Sequence, residues 1–132
     1  MNTSLMEVVR KITEQLAISG QITAEQITDI ARDGYKSVVN LRFPDEKDWW
    51  EDEPQQIEDL GLNYVNIPIK FEELNPQFAL VVFRIMENLP KPILIHCDNG
   101  IRAAAIVLFY IANKQGIEFD QVWQKNSQFF LL

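Results

Sequence analysis

The chain has one histidine and one cysteine, and they are neighbours: His96-Cys97. Ile93-Leu94-Ile95 precedes them, Asp98-Asn99-Gly100-Ile101-Arg102 follows, and an alanine-rich apolar run, Ala103 to Phe109, comes next. A thiol attacks well only as a thiolate. Its ordinary pKa of about 8.5 falls to roughly 3.5–7.5 at helix N-termini or beside cations. Cys97 sits before a predicted helix, with Arg102 within the following turn. Successive N–H groups of Asp98 to Arg102 can form a nest for an oxyanion, with the helix dipole behind them. Gly100 permits the positive φ that such a cradle needs, and Arg102 can clamp two oxygens at once, which lysine cannot. These parts suit covalent catalysis through a thio-phosphate or a persulfide. Taken alone, a cysteine after an apolar strand is an inert core thiol, and a single histidine is a structural hydrogen-bonder. Strand, His-Cys, glycine, arginine and helix together make Cys97 the expected nucleophile.

The surrounding elements must present this loop. Ile93–His96 is bounded by Pro92 and reads as a buried strand, and the following helix runs to about Gln115 with Gly116 as its stop. Leu5, Val8, Val9 and Ile12 recur at helical spacing behind a Ser4/Glu7 capping box, so residues 4–12 are predicted as a short helix. Gln15 to Ser19 reads as a strand. A Thr23/Gln26 capping box starts a helix that Gly34 ends. Tyr35 to Arg42 is β-branched and apolar, hence a strand, and Pro54 starts a helix closed by Gly61. Asn63 to Ile69 is the next strand, and Lys70 to Leu74 a loop. Asn75-Pro76 then opens a helix whose predicted buried face is Phe78, Val81, Val82, Ile85, Met86 and Leu89. A last short helix is expected near residues 119–125. The Phe129-Phe130-Leu131-Leu132 tail is expected to pack into the domain or to form an oligomer contact. This alternation predicts an α/β fold: three layers, with a mostly parallel sheet of four to five strands flanked by helices. Ligands in such folds bind at the carboxyl ends of strands, where Cys97 falls.

At 132 residues and 47% hydrophobic, the chain can bury a core as one domain, residues 1–132. One cysteine excludes an internal disulfide and fits a reducing compartment. No apolar run approaches the roughly 20 residues of a membrane span, and the N-terminus does not resemble a signal peptide, so the expected location is cytoplasmic. Between Asp45 and Asp59, eight acidic residues stand against Lys47 alone, which equals the net charge of -7. With no basic stripe, nucleic-acid and membrane partners are not expected. The acidic segment reads as a solvated loop and helix start, with Trp49 and Trp50 covering the core edge.

The chain resembles a small bacterial dual-specificity-phosphatase-like family within the protein tyrosine phosphatase superfamily, found fused to some beta-lactamase-like hydrolases. The resemblance spans about residues 12–116. It is carried by Gln15-Leu16-Ala17-Ile18-Ser19-Gly20-Gln21-Ile22-Thr23, by Gly34 to Arg42, by Gly61 to Ile69 and by His96-Cys97-Asp98-Asn99-Gly100-Ile101-Arg102. It implies a phosphoric monoester hydrolase with Cys97 as the phosphocysteine-forming nucleophile, Arg102 as the phosphate clamp and His96 as the loop organiser. Phosphate contacts would come from Asp98, Asn99, Gly100, Ile101 and Arg102. The substrate would be a phosphorylated protein or a small phosphate or oxyanion, with no metal and no cofactor. Four residues separate Cys97 from Arg102, against five in the wider superfamily. That interval matches this branch and also resembles the rhodanese sulfurtransferase loop, which keeps sulfur transfer as an alternative. Asp98 beside the nucleophile opposes thiolate formation and repels a dianion, and Ala103 stands where many relatives have Ser or Thr. These departures leave a degenerate anion- or protein-binding module as a third reading. The superfamily uses an aspartate general acid on a separate loop. Here Glu72 and Glu73 are the carboxylates of that loop and Asp45 a more distant candidate.

Overall fold

The computed structural model describes residues 9–117. Five strands form one sheet: β1 (Val9–Lys11), β2 (Leu16–Ser19), β3 (Ser37–Asn40), β4 (Asn63–Asn66) and β5 (Ile93–His96). Their spatial order is β1-β2-β5-β3-β4. The last four run parallel, and only β1 is antiparallel, paired with β2. Four α-helices flank the sheet among the described residues: α1 (Ala24–Arg32), α2 (Glu53–Asp59), α3 (Pro76–Asn88) and α4 (Ile101–Lys114). The expected α/β architecture is the one found.

Strand alternation divides the core. Ile93 and Ile95 of β5, with Leu16, Ile18 and Val39, face α3 and α4. Leu94, with Ala17 and Val38, faces Ile27 and Ile30 of α1 and Ile57 of α2. Ile93, Leu94 and Ile95 are all fully buried, and burial of each such side chain stabilises by about 1.5–3 kcal/mol. The strand that delivers the His-Cys pair is therefore firmly anchored in the core. The same alternation sends His96 toward the α1/α2 layer and Cys97 toward the α3/α4 layer.

Three expectations about local structure need correction. Residues 9–11 are the edge strand β1, not part of a helix. Val9 is buried and pairs with Ser19, whereas Ile12 is 45% exposed. The open edge of β2 offers a row of backbone partners, and that outweighs a weak helical periodicity. The Ser4/Glu7 capping box, the predicted helix near residues 119–125 and the 129–132 tail lie outside the described residues. In α3 the buried face is Ala79, Val82, Phe83 and Met86, while Phe78 and Val81 are exposed. The helix is rotated relative to the expected stripe, with Ala79 and Phe83 in the core cluster in place of Phe78 and Val81. Its start agrees with the sequence, since Asn75 Oδ1 accepts the Phe78 N–H at 2.9 Å with Pro76 at the first helical position. The Thr23/Gln26 box is also formed, both halves of it. Phe71–Glu73, expected as loop, forms a single 3₁₀ turn.

Candidate active site

β5 is the middle strand, and its carboxyl end lies between those of β2 and β3: Ser19 and Asn40 both pair with His96. Backbone bonds continue the ladder one step into the loop. Leu41 N–H donates to His96 O at 2.9 Å and Cys97 N–H donates to Ser19 O at 3.3 Å. Cys97 therefore starts its loop in strand-like geometry, fully buried. The loop turns at Gly100, whose φ of +88° is left-handed and favours glycine. Gly100 caps α4, and its N–H donates to Cys97 Sγ at 3.1 Å. The thiol thus sits at the N-terminus of a fourteen-residue helix with a backbone donor already aimed at the sulfur.

Other loop N–H groups are occupied by the loop's own side chains. Asn99 N–H donates to Asp98 Oδ1 at 2.8 Å, and Ile101 N–H donates to Asn99 Oδ1 at 3.0 Å. Asn99 Oδ1 also lies 4.0 Å from the sulfur. Side-chain oxygens thus occupy these two loop N–H groups. Close packing beneath the loop comes from β2. Gln21 N–H donates to Asp98 O at 3.1 Å, and a Cβ added to Gly20 would come within 2.9 Å of that same oxygen. The Ser19-Gly20-Gln21 segment is therefore shaped to let the Cys97 loop lie against it.

Arg102, only 13% exposed, is held by two carboxylates. Its Nη1 and Nη2 donate to Glu46 Oε2 and Oε1 at 2.9 and 2.7 Å, an end-on bidentate pair. The other Nη2–H donates to Asp98 Oδ1 at 3.0 Å. Nη1 also reaches Ile69 O at 3.2 Å. The side-on edge of the guanidinium, Nε–H with Nη2–H, is thus the edge that Asp98 partly covers. Arg102 holds the Glu46 carboxyl far below its usual range, at about 2, helped by the Phe43 N–H at 2.6 Å and by Arg42. Reciprocally, Glu46 and Asp98 push the arginine further up.

Behind the cysteine lies a third carboxylate. His96 and Glu53 are both fully buried, and His96 Nε2 lies 2.6 Å from Glu53 Oε2. His96 Nδ1 lies 3.3 Å from Cys97 O. Glu53 Oε1 accepts from Gln21 Nε2 at 2.8 Å, and Gln21 Oε1 accepts from Arg42 Nη1 at 2.6 Å. Arg42, 3% exposed, also donates through Nε to Glu46 Oε1 at 3.2 Å and through Nη2 to Lys47 O. The side chains of His96, Glu53, Gln21, Arg42, Glu46, Arg102 and Asp98 therefore form a ring that closes through the loop backbone.

The sequence-predicted residues are distributed accordingly. His96, Cys97, Asp98, Asn99, Gly100, Ile101 and Arg102 come together as one loop, with Ile101 exposed. Asp45, Glu72 and Glu73, the candidate general acids, are exposed on neighbouring loops, and none of them is hydrogen-bonded to the Cys97 loop. The acidic segment is not solvated throughout: Glu46 and Glu53 are built into the site. Glu53 lies 43 residues from His96, so no local spacing announces the pair. The signal was chemical: a histidine at the end of a buried strand needs a polar partner. Trp50 packs against the α1/α2 core as expected of a core-edge tryptophan.

A family model described as "DSP-PTPase phosphatase fused to NAD+ kinase" matches residues 7–128. The chain belongs to this dual-specificity-phosphatase-like family of the protein tyrosine phosphatase superfamily. The beta-lactamase hydrolase-like protein of Xylella fastidiosa (strain Temecula1) is 32% identical over 101 residues. That match covers 70% of this chain and 22% of the relative, so the chain spans about a fifth of the length of this curated relative. Among solved structures, a Shewanella putrefaciens protein assigned as a phosphatase superposes with a TM-score of 0.74 at 28% identity, covering 83% of this chain and 72% of that one. TpbA of P. aeruginosa, solved in complex with phosphotyrosine, superposes with a TM-score of 0.68 at 17% identity, over 98% of this chain and 78% of that one. At that identity the likeness concerns the fold. Among the described residues of this phosphatase-like domain, no helix is long and apolar enough to cross a membrane, and no cluster of three His, Cys, Asp or Glu side chains could hold a metal ion.

Proposed function

We propose that the domain hydrolyses phosphate monoesters through a Cys97 phosphoenzyme. The observation that carries this reading is the Gly100 N–H aimed at Cys97 Sγ at the mouth of α4, with the Arg102 guanidinium on the same loop. A substrate phosphoryl group would take the loop N–H groups now held by Asp98 and Asn99 oxygens, and the side-on edge of Arg102 in place of Asp98. Glu46 would keep the opposite edge, so the arginine need not move far. In the first step Cys97 Sγ bonds to phosphorus as the P–O bond to the leaving group breaks. The departing oxygen takes a proton from a carboxylic acid. In the second step water attacks phosphorus, the S–P bond breaks, and inorganic phosphate and the thiolate are released.

Glu46 is unsuited to supply that proton, because its carboxyl is held at about 2 and stays ionised. Asp45, Glu72 and Glu73 are the exposed carboxylates proposed for that role; an acid at this step contributes about 10²–10⁴-fold. The substrate is a phosphorylated protein or a small phosphate. The test is hydrolysis of p-nitrophenyl phosphate. Wild type turns over, and Cys97→Ser and Arg102→Ala do not. Equal rates for wild type and Cys97→Ser refute the cysteine mechanism. A wild type that binds orthovanadate without turning over any phosphate ester is a binding module instead. The four-residue interval between Cys97 and Arg102 favours one second reading, sulfur transfer. A persulfide on Cys97 after incubation with thiosulfate, with no ester hydrolysis, would establish it.

A further inference from the structure

The buried pair behind the nucleophile has a proton count that geometry fixes. Cys97 O is a carbonyl and can only accept, so the Nδ1 that faces it at 3.3 Å must carry a hydrogen. Glu53 Oε2 at 2.6 Å from Nε2 then requires one more proton on the Nε2–Oε2 line, on either atom. The alternative, a bare carboxylate facing a neutral imidazole protonated at Nε2, would turn a lone pair of Nδ1 toward the lone pairs of Cys97 O. With both side chains withdrawn from water, the pair is net neutral, as burial demands.

The other half of the carboxyl is equally determined. Gln21 Nε2 has two hydrogens, and both are committed, to Glu53 Oε1 at 2.8 Å and to Ile22 O at 2.9 Å. Its Oε1 faces the Arg42 guanidinium at 2.6 Å. Flipping this amide would set N–H against N–H, so its orientation is locked. No buried side-chain polar atom is left unpaired among the described residues.

We infer that Glu53 is a positioning residue for the reaction proposed above. It holds His96 as an Nδ1–H donor to the Cys97 carbonyl and so fixes the peptide that carries the nucleophile. Through Gln21, Arg42 and Glu46 it ties that peptide to the frame holding Arg102. The inference rests on the cysteine-phosphatase reading for its catalytic consequence, but not for its geometry. Glutamine at position 53 can keep the arrangement, with its oxygen accepting from Gln21 and its amide N–H donating to Nε2 of an imidazole that remains protonated at Nδ1. Leucine has similar bulk and can do neither.

The test uses the full chain with Glu53→Gln and Glu53→Leu. Kinetics with p-nitrophenyl phosphate should show Glu53→Gln within about threefold of wild-type kcat. Glu53→Leu should lose about tenfold or more in kcat with a smaller change in KM, the loss expected when a reacting group is slightly misplaced. Orthovanadate affinity and the rate of Cys97 alkylation by iodoacetamide should follow the same order. A Glu53→Leu variant with wild-type kcat and vanadate affinity overturns the inference, and so does a Glu53→Gln variant as impaired as Glu53→Leu. Nitrogen NMR of the wild type provides a reading that needs no variant, because His96 is the only histidine. A proton on Nδ1 at neutral pH supports the assignment, and a bare Nδ1 overturns it. Should the wild type lack phosphatase activity, the vanadate, alkylation and NMR readings still decide the role of Glu53.

Discussion

Glu46 is the residue on which both arginines of the site converge, and Glu46→Gln gives a prediction whose size follows from the structure. The carboxylate takes two hydrogen bonds from Arg102, one from Arg42 Nε and one from the Phe43 N–H, and its pKa falls from 4.5 to about 2. At about 1.36 kcal/mol per pKa unit, a fall of that size corresponds to at most about 3.4 kcal/mol. The side chain is 22% exposed, so solvent screening reduces this to about 1–2 kcal/mol. A lowered pKa means the stabilisation is fully present above the unfolded value of 4.5 and is lost as pH falls toward 2. At pH 7 the variant should therefore melt about 4–10 °C below wild type. The gap should close progressively as melts are repeated from pH 5 down to pH 2. A gap that stays constant with pH, or none at pH 7, would refute the reasoning about Glu46.

Asp98→Asn removes the carboxylate that competes for Arg102 Nη2. Asp98 is 51% exposed, so its pairing is worth about 0.2–1 kcal/mol, and vanadate affinity measured by titration should rise about two- to fivefold. Weaker anion binding would show instead that Asp98 organises the loop. Gly20→Ala places a Cβ within 2.9 Å of Asp98 O, a backbone atom that cannot swing aside. It should cost about 1–3 kcal/mol by chemical denaturation and lower vanadate affinity. A variant as stable as wild type would mean the Cys97 loop is free to move off β2.

Much of this fold was legible because its signals are local. Thr23/Gln26 and Asn75-Pro76 mark helix starts by side-chain caps, Gly100 marks the left-handed turn, and the β-branched run around Val38 and Val39 marks a strand. The Cys97 loop was legible for the same reason: strand, thiol, glycine, arginine and helix are contiguous. What could not be read was long-range. Edge pairing with β2 made a strand of residues 9–11, and packing against the sheet rotated α3 away from Phe78 and Val81. Above all, the acidic segment supplies buried partners. Glu46 reaches Arg102 across 56 residues and Glu53 reaches His96 across 43. Composition made both acids look like members of a solvated run. Only folding shows that Glu46 pairs with both arginines of the site and that Glu53 hydrogen-bonds its histidine.

The central claim is that phosphoryl transfer passes through Cys97, and trapping the intermediate tests it most directly. Wild-type protein is mixed with p-nitrophenyl phosphate, quenched with acid within its first turnovers and mapped by peptide mass spectrometry. The account predicts a phosphoryl group on the peptide containing Cys97, and none in Cys97→Ser. Ester hydrolysis at wild-type rates in Cys97→Ser, with Cys97 unmodified in the wild type, would contradict it.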